Sequence, residues 1–469
     1  MNFKKLSQIV LLGIFSIVTS CREDYEASLP SQDLSFSEEQ IFLNTVFTDI
    51  PSSTYTLTVR NNENEDISIP SIFLEKGMNS LYSIEVNGNQ NEEERYDDTL
   101  IRKNNFITVY ITITPEGATN ALYEDNIVFN LGNYTQKVKL ASIIEDVELF
   151  KPNNEDAYYE ISSDTVWDNA NSKIIYGGVL VKSGVRLTIE KGTKVYFYTN
   201  SELIVEEGGE LIVNGAKDQE VNFRGYRTEP EYDTIAGTWN KIGLKENATA
   251  KINYAYIKGG RTSLEAIRAN IEITNTQIYN SEQFGLYGEN ATITASNLAV
   301  NQAARYGVFL NEGGSYDFKH CTLVNYWPYA SNEEIALYVS NVKNVNGKLT
   351  YGNLKADFKN SIIYSPDSDG LRMFIDREST AASLINFDTN LINETSGNID
   401  LLGNGFSNTI INQDPLLKEA VKLSSNDLRL TLSSPALNIG NIITASEVFK
   451  DLLGIDRTAS PDLGAYELE

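Results

Sequence analysis

Ala250-Lys-Ile-Asn-Tyr-Ala-Tyr-Ile257 is the first of six copies of an eight-residue pattern that is apolar at its first, third and eighth places and small or polar at its sixth. The other copies are Ile271-Glu-Ile-Thr-Asn-Thr-Gln-Ile278, Ala291-Thr-Ile-Thr-Ala-Ser-Asn-Leu298, Tyr316-Asp-Phe-Lys-His-Cys-Thr-Leu323, Ala356-Asp-Phe-Lys-Asn-Ser-Ile-Ile363 and Ile385-Asn-Phe-Asp-Thr-Asn-Leu-Ile392. Recurrence of this kind predicts a solenoid, in which each repeat buries its apolar side only by stacking on the next. Because side chains alternate along a strand, we expect the first and third places to point inward, the next two to turn a corner, and the sixth and eighth to point inward again.

A second series of short apolar strands precedes these copies and begins near Gly177. Glycine-containing turns separate its members, which are Val179-Leu-Val181, Leu187-Thr-Ile189, Val195-Tyr-Phe197, Leu203-Ile-Val205, Leu211-Ile-Val213 and Val221-Asn-Phe223. Three such strands make one coil of about 25 residues, and parallel neighbours stack about 4.8 Å apart. The sequence therefore predicts a right-handed parallel β-helix over residues 146–412.

A second wall follows the copies, marked by a small residue before an apolar one in Ala266-Ile267, Gly285-Leu286, Gly307-Val308, Ala336-Leu337 and Gly370-Leu371. The residues directly after these pairs should point outward, one on each coil, in a ridge about 19 Å long. They are Arg268, Tyr287, Phe309, Tyr338 and Arg372. Aromatic faces accept sugar rings and arginine binds carboxylates, so this column is the candidate binding site. The alternative is a ladder of rings that only stiffens the sheet.

Longer gaps after Tyr326 and after Ser340 predict loops that project from the stack. The first loop contains Tyr326-Trp327-Pro328-Tyr329, which either extends the candidate surface or covers the edge of a coil.

The N-terminal part of the chain alternates in short strands between Ile41 and Leu140. The seven predicted strands are Ile41–Phe47, Tyr55–Arg60, Ile67–Phe73, Tyr82–Val86, Phe106–Ile113, Asn126–Asn130 and Gln136–Leu140. Their number and spacing favour an immunoglobulin-like β-sandwich over residues 35–145. The alternative is irregular β structure that covers the end of the solenoid.

The charge of the chain excludes one class of partner. Among 469 residues, 38 basic and 64 acidic side chains give a formal charge of −26. Nucleic-acid binding needs clustered lysine and arginine, so we expect no nucleic acid as a partner, and an anionic membrane surface is equally disfavoured.

The N-terminus has the features of an exported protein. Lys4 and Lys5 precede an apolar run from Ile9 to Val18 that is too short to span a bilayer. Val18-Thr19-Ser20-Cys21 resembles the lipobox of bacterial lipoproteins, and the following Arg22-Glu23-Asp24 resembles a surface-export signal. The resemblance implies that residues 1–20 are a signal peptide, that Cys21 carries lipid, and that residues 21–34 are a polar tether. It further implies a lipid-anchored protein exposed on the surface of the outer membrane, with the membrane as a partner through that lipid.

Residues 413–469 do not repeat the pattern and are predicted to form a C-terminal cap on the β-helix. Gly178-Val-Leu-Val-Lys-Ser-Gly-Val-Arg-Leu-Thr-Ile-Glu-Lys-Gly-Thr-Lys-Val-Tyr-Phe197, Glu207-Gly-Gly-Glu-Leu-Ile-Val-Asn-Gly-Ala216 and the tail from Asp414 to Glu467 are similar to β-helix surface lipoproteins with the fold of pectate lyases. The resemblance implies the fold and the location but no particular activity, because enzymes, adhesins and proteins without chemistry share this shape.

His320 and Cys321 are the single histidine and the single cysteine besides Cys21, and together they suggest a nucleophile and its base. In the repeat, however, Cys321 takes the sixth, inward place and His320 the fifth, corner place. The sequence therefore favours a structural role for both. With one histidine, neither a serine triad nor a histidine-based metal site is expected.

Asp367 and Asp369 in Ser365-Pro-Asp-Ser-Asp-Gly370 could bind calcium or act as acid and base on a glycoside. They fall between two walls of one coil, where aspartate and glycine are typical of a turn, and the turn is the favoured interpretation. We therefore expect no catalytic residue, metal or cofactor.

The pattern favours a non-catalytic module that binds a polysaccharide or an outer-membrane protein. A polysaccharide lyase or glycoside hydrolase and a structural subunit of a larger outer-membrane assembly are the alternatives.

Overall fold

The computed structural model describes residues 27–116, 121–153, 158–329, 334–376, 380–423 and 426–468. The chain divides into two compact units, with the boundary between Ile144 and Glu145. Among the described residues the chain is nearly all-β, with one α-helix, α1 (Ile442–Glu447), and two 3-10 helices, Gly77–Asn79 and Pro230–Thr234. The predicted signal peptide, Cys21 and the first residues of the predicted tether lie outside the described residues. The rest of the predicted tether is not free: Ser28 bridges to Ile67, and Leu34 is buried in the core of the N-terminal unit, because this part of the chain contains an apolar residue that the core accommodates.

The N-terminal unit contains two five-stranded sheets. Its strands are β1 (Ser35–Phe36), β2 (Gln40–Phe47), β3 (Tyr55–Arg60), β4 (Ile67–Leu74), β5 (Tyr82–Val86), β6 (Asn89–Gln90), β7 (Arg95–Ile101), β8 (Phe106–Ile113), β9 (Ala121–Asn130) and β10 (Thr135–Glu145). The sheet orders are β1-β3-β8-β5-β6 and β2-β10-β9-β4-β7. Leu57, Val109 and Ile84 of the first sheet share one apolar core with Ile69, Phe129 and Val138 of the second.

All seven strands predicted in this unit are present, but the sequence did not reveal β1, β6 and β7. Strand β7 was missed because Asp97 and Asp98 interrupt its alternation, and only Tyr96 and Ile101 of the strand are buried. It lies at the edge of its sheet, where charged side chains remain in water.

The second unit is built on a 26-stranded sheet that closes almost completely on itself like a β-helix. Nearly every strand pairs in parallel with the strand three places further along the chain, so three strands make one coil. The strands are β11 (Val147–Phe150), β12 (Tyr159–Ile161), β13 (Thr165–Trp167), β14 (Ser172–Ile175), β15 (Gly178–Val181), β16 (Arg186–Glu190), β17 (Lys194–Phe197), β18 (Glu202–Val205), β19 (Glu210–Asn214), β20 (Val221–Gly225), β21 (Trp239–Leu244), β22 (Thr249–Asn253), β23 (Ala255–Lys258), β24 (Gly260–Ile267), β25 (Asn270–Ser281), β26 (Phe284–Ala303), β27 (Tyr306–Lys319), β28 (Thr322–Val324), β29 (Ile335–Ser340), β32 (Leu354–Lys359), β33 (Ile362–Tyr364), β34 (Leu371–Phe374), β35 (Ser383–Asp388), β36 (Leu391–Ile392), β37 (Phe406–Ser407) and β38 (Ile410–Ile411). A separate hairpin, β30 (Val342–Val345) and β31 (Lys348–Tyr351), interrupts this order.

The coils present three walls. Wall A contains β11, β14, β17, β20, β23, β28, β33, β36 and β38, together with the ends of β25 and β26. Wall B contains β12, β15, β18, β21, β24, β29 and β34, together with the starts of β26 and β27. Wall C contains β13, β16, β19, β22, β32, β35 and β37, together with the remaining parts of β25, β26 and β27.

The eight-residue pattern spans the corner between wall C and wall A. At its fifth place the backbone adopts the left-handed conformation, with φ of 48° at Tyr254, 49° at Asn275, 49° at His320, 51° at Asn360 and 57° at Thr389. This conformation reverses the chain within one residue, and asparagine tolerates it better than most residues. The inward places on either side of the corner are buried, as the alternation predicts, except that Ile385 of the last copy is partly buried.

The third copy of the pattern begins two residues later in the structure than the sequence pattern predicts. The register pairs Ile271 with Ile293 and Ile273 with Ala295, so the copy is Ile293–Val300 rather than Ala291–Leu298. A shift of two residues keeps every side chain on the same face of a strand, so the apolar pattern alone cannot distinguish the two frames. Asn297, with φ of 51°, marks the true corner.

Four phenylalanines stack inside the upper coils. Ring centroids are 4.8 Å apart between Phe318 and Phe358, 4.8 Å between Phe358 and Phe387, and 5.0 Å between Phe387 and Phe406. All four come from wall C, where the register places one directly above the next. Identical rings at one inward position fill successive coils without voids.

The C-terminal segment, residues 413–468, contains β39 (Leu417–Glu419), β40 (Asp427–Leu430) and α1. Its apolar residues, including Leu428, Leu452 and Leu463, form a core with outward residues of wall A such as Val324 and Ile362. Asn301 donates to the carbonyl oxygen of Ala420 at 2.8 Å. The segment thus packs along the side of several coils, whereas the sequence predicted a cap over the last one.

Candidate functional site

The structure brings most of the predicted ridge together on the outer face of wall B. The register pairs Tyr287 with Phe309, Phe309 with Tyr338, and Tyr338 with Arg372. Ring centroids are 5.3 Å apart between Tyr287 and Phe309 and 5.1 Å apart between Phe309 and Tyr338. All three rings are half-buried. The column therefore exists as an array of rings, one on each coil.

Arg268 does not belong to this column. Tyr287 pairs with Glu265, and the inward neighbour of Leu286 is Leu264. Both Ser263-Leu264 and Ala266-Ile267 have a small residue before an apolar one. The sequence analysis used the second pair, whereas the structure shows that the first is the correct one. Arg268 lies at a corner with φ of 49°, and its Nε donates to Glu246 at 3.1 Å.

Two further rings, Phe284 and Tyr306, join the column. Phe284 lies 5.6 Å from Tyr287 and 5.6 Å from Tyr306 between centroids, and Tyr306 stacks on Tyr338 at 5.1 Å. Each precedes its neighbour in the column by three residues, in the related sequences Phe284-Gly-Leu-Tyr287 and Tyr306-Gly-Val-Phe309. This recurrence could have identified Phe284 and Tyr306 from the sequence. We refer to Phe284, Tyr287, Tyr306, Phe309 and Tyr338 as the aromatic patch.

Ring contacts hold the aromatic patch together. Seven pairs have centroids between 5.1 and 5.6 Å apart, with geometries from stacked to edge-on. Such pairs contribute roughly 0.5–1.5 kcal/mol each beyond the burial of their surface. The patch is therefore a rigid surface whose rings need little ordering to receive a ligand.

A buried charge cluster borders the patch at the corner between walls B and C. Glu289 accepts a hydrogen bond from the Tyr287 hydroxyl at 2.6 Å and forms an ion pair with Lys343 at 2.6 Å. Burial, with the nearby carboxylates Glu289 and Glu265, raises the pKa of Tyr287. The Tyr287 hydroxyl therefore remains protonated, and its hydrogen bond to Glu289 holds the first ring of the column in place.

A loop precedes strand β29 in the chain, and a hairpin follows it. Before β29, Trp327 and Tyr329 form an edge-on pair with centroids 5.4 Å apart. After β29, the β30–β31 hairpin projects from the opposite corner and is tied to β26 by the Lys343–Glu289 pair. The hairpin therefore lies beside the patch.

His320 and Cys321 are both buried inside the unit. Burial raises the pKa of the Cys321 thiol to about 12, so the thiolate needed for nucleophilic attack does not form at neutral pH. The His320 ring lies between Asn360, whose Nδ2 is 2.9 Å from Nε2, and Arg457, whose Nη1 contacts Nδ1. Burial, followed by the Arg457 charge, holds the pKa of His320 well below its usual range. Neither side chain faces solvent or the aromatic patch.

Arg457 is the anchor beneath His320. The guanidinium is 0% exposed, and it donates to the Asn297 side chain at 3.0 Å and to the Gly464 carbonyl at 3.1 Å. Glu467 lies 3.4 Å away, and burial raises the pKa of that carboxyl to about 7. The cluster joins the C-terminal segment to two corner residues of the repeat.

Asp369 shapes the turn between two walls. Its Oδ1 accepts hydrogen bonds from the backbone of Thr395 at 2.8 Å and of Ser396 at 3.1 Å. These bonds outweigh burial and lower the pKa of Asp369. Asp367 makes none of these contacts and remains exposed. Within the described ranges, no group of three or more histidine, cysteine or acidic side chains could hold a metal ion.

No helix in the described part of the chain is long and apolar enough to cross a membrane. Cys21, the predicted site of lipidation, lies outside that part.

No family model matches the chain, and no curated protein matches it. The solved structures that are similar over part of its length include the following two. A family 123 glycoside hydrolase from Clostridium perfringens has 10% sequence identity and a TM-score of 0.18, over 25% of this chain and 30% of its own. The PapD-like domain 7 of human CEP192 has 16% identity and a TM-score of 0.17, over 24% of this chain and 87% of its own. The chain thus spans under a third of the hydrolase, and neither similarity informs on function.

Proposed function

We propose that this protein is a cell-surface lipoprotein whose second unit binds glycan, without catalysis, through the aromatic patch. The observation that carries the proposal is an array of five rings in contact on one wall, in which Phe284, Tyr287, Phe309 and Tyr338 are half-buried and Tyr306 is buried between them. Contiguous apolar surface on a soluble unit marks a place of interaction, and ring faces suit the apolar faces of sugars. The interior of the coils is filled by other side chains, so the array is not part of that core.

The experiment compares binding of the protein and its variants to a polysaccharide array. The double variant Phe309→Ala/Tyr338→Ala should weaken binding about tenfold or more, because each lost ring contact removes on the order of 1 kcal/mol. Tyr176→Ala is the matched control, since that ring is 49% exposed and contacts Tyr198 in a tilted pair, with centroids 4.7 Å apart, on a coil nearer the N-terminus. Unchanged binding by the double variant would remove the patch from consideration.

The same incubations test the enzymatic alternative. A rise in reducing ends, or in the absorbance of unsaturated products from uronic-acid polysaccharides, would favour a hydrolase or a lyase over a binding module.

The location rests on the N-terminal sequence. Lipid on Cys21 would hold the protein to the outer membrane, and the residues between Cys21 and Ser28 would act as a short polar tether. Palmitate labelling of the protein in a bacterial host, lost in Cys21→Ser, tests the anchor. Digestion of intact cells with a protease tests exposure at the surface. Native pull-down from solubilised membranes separates a free-standing lipoprotein from a subunit of a larger assembly.

Three finer structural features belong to the same proposal. The N-terminal unit would serve as an immunoglobulin-like spacer, supported by two sheets around one core. The solenoid would be right-handed, as parallel crossover connections almost always are. Residues 413–469 would protect the solenoid, supported by the core that they share with wall A.

A further inference from the structure

We infer, on the basis of the proposed function, that the glycan is an uncharged linear chain lying along the solenoid axis across at least three coils. The direction of the ring columns, the hairpin beside them and the charges around them each support one part of this inference.

The rings extend along the axis and not around the coil. Tyr287, Phe309 and Tyr338 come from three successive coils, in register and 5.3 and 5.1 Å apart. Across the coil the array is only two rings wide, with Phe284 beside Tyr287 at 5.6 Å. A chain of sugars that follows the axis therefore meets one ring per coil, whereas a chain across the wall meets two at most.

The hairpin beside the patch favours the same direction. The pair Trp327 and Tyr329 stands before β29 and the β30–β31 hairpin stands after it, on opposite corners of wall B. Lys343 fastens the hairpin beside the patch through Glu289 at 2.6 Å. The hairpin thus borders the patch on one side, and a chain that follows the axis runs past it.

The charges beside the rings are paired. Lys241 pairs with Glu265 at 2.6 Å below the column, Lys343 pairs with Glu289 at 2.6 Å at its side, and Arg372 lies 3.5 Å from Asp369 above it. Another cation, Arg305, lies over the ring faces of Phe284 and Tyr306, at 5.9 and 5.2 Å from their centroids. A carboxylate ligand at Lys241, Lys343 or Arg372 would have to compete with the acidic partner of that side chain.

The rest of the chain reinforces this selectivity. A formal charge of −26 repels a polyanion at long range, and the local pairs leave little cationic surface to oppose that repulsion. An uncharged glycan is not repelled by the negative charge of the chain and does not compete with the ion pairs. It can meet the patch through ring stacking alone, with binding that depends little on salt.

The test measures affinities of the whole lipid-free protein by calorimetry for two kinds of oligosaccharide series. The uncharged series are cello-, manno-, xylo- and malto-oligosaccharides, from disaccharide to octasaccharide, and the charged series is oligogalacturonate. At least one uncharged series should bind with affinity that rises up to the tri- or tetrasaccharide and then levels. Oligogalacturonates should bind at least about tenfold more weakly at physiological salt.

Variants separate this inference from the proposed function. Tyr338→Ala should lower the affinity of the longer uncharged ligands about tenfold while changing that of the disaccharide less. Tight, salt-sensitive binding of oligogalacturonate that Arg305→Gln removes, or affinity independent of chain length, would overturn the inference while leaving glycan binding in place. If neither series binds to the intact protein, the proposed function itself fails, and the inference with it.

Discussion

His320 shows how one position of the repeat decides the role of a residue. The fifth place turns the corner with positive φ, and asparagine occupies it in Asn275, Asn297 and Asn360. A histidine there is directed toward the C-terminal segment, where its ring contacts Arg457. His320 and Cys321, which together suggested a nucleophile and its base, therefore have a structural role. Because the pKa of His320 is lowered in the folded state, the stability of the protein should depend on pH.

The prediction concerns His320→Asn, which keeps a residue that tolerates the corner conformation. At pH 8 the variant should lose about 1–3 kcal/mol of unfolding free energy, because Arg457 loses a buried partner. The folded-state pKa of His320 lies below the ordinary value of about 6.5, so the unfolded chain takes up a proton before the native state does. The stabilising contribution of neutral His320 is complete above that pH and declines as pH falls below it. Denaturant titrations between pH 5 and 8 should therefore show the two proteins converging on acidification. A constant difference would contradict this.

Among the elements, the phenylalanine ladder of wall C carries the packing of the upper coils. Phe358→Ala should cost about 3–5 kcal/mol, because it opens a cavity between Phe318 and Phe387 where neighbouring coils cannot collapse. Phe374→Ala, at a position that is 54% exposed, is the control and should change stability by less than about 0.5 kcal/mol. Urea denaturation of both variants checks the difference. Equal losses would show that the ladder is not the main packing element.

The repeat predicts walls and corners well, because alternation fixes which side chains point inward. It predicts register poorly, because a slip of two residues preserves that alternation, as the third copy and Arg268 show. The column of Tyr287, Phe309 and Tyr338 was predictable for the same reason that the walls were. Phe284 and Tyr306 were missed because they lie at the starts of β26 and β27, outside the alignment that defined the column.

At the scale of the molecule, the course of the C-terminal segment could not be predicted from the repeat. Its docking depends on single long-range contacts, such as that of Arg457 with Asn297, 160 residues apart in sequence. No periodicity encodes such a contact. The apolar core of the segment includes residues of wall A, so the segment contributes to the stability of the second unit.

This arrangement predicts two unfolding transitions that respond to different substitutions. Arg457→Met should lower the unfolding free energy of the second unit by about 3–5 kcal/mol, because Glu467 and Asn297 lose a fully buried partner. Val138→Ala, in the core of the N-terminal unit, should lower only the unfolding free energy of that unit, by about 2 kcal/mol. Scanning calorimetry of the wild type and both variants assigns each transition to its unit. If either substitution shifts both transitions together, the units unfold as one body, and the separation of their cores does not govern stability.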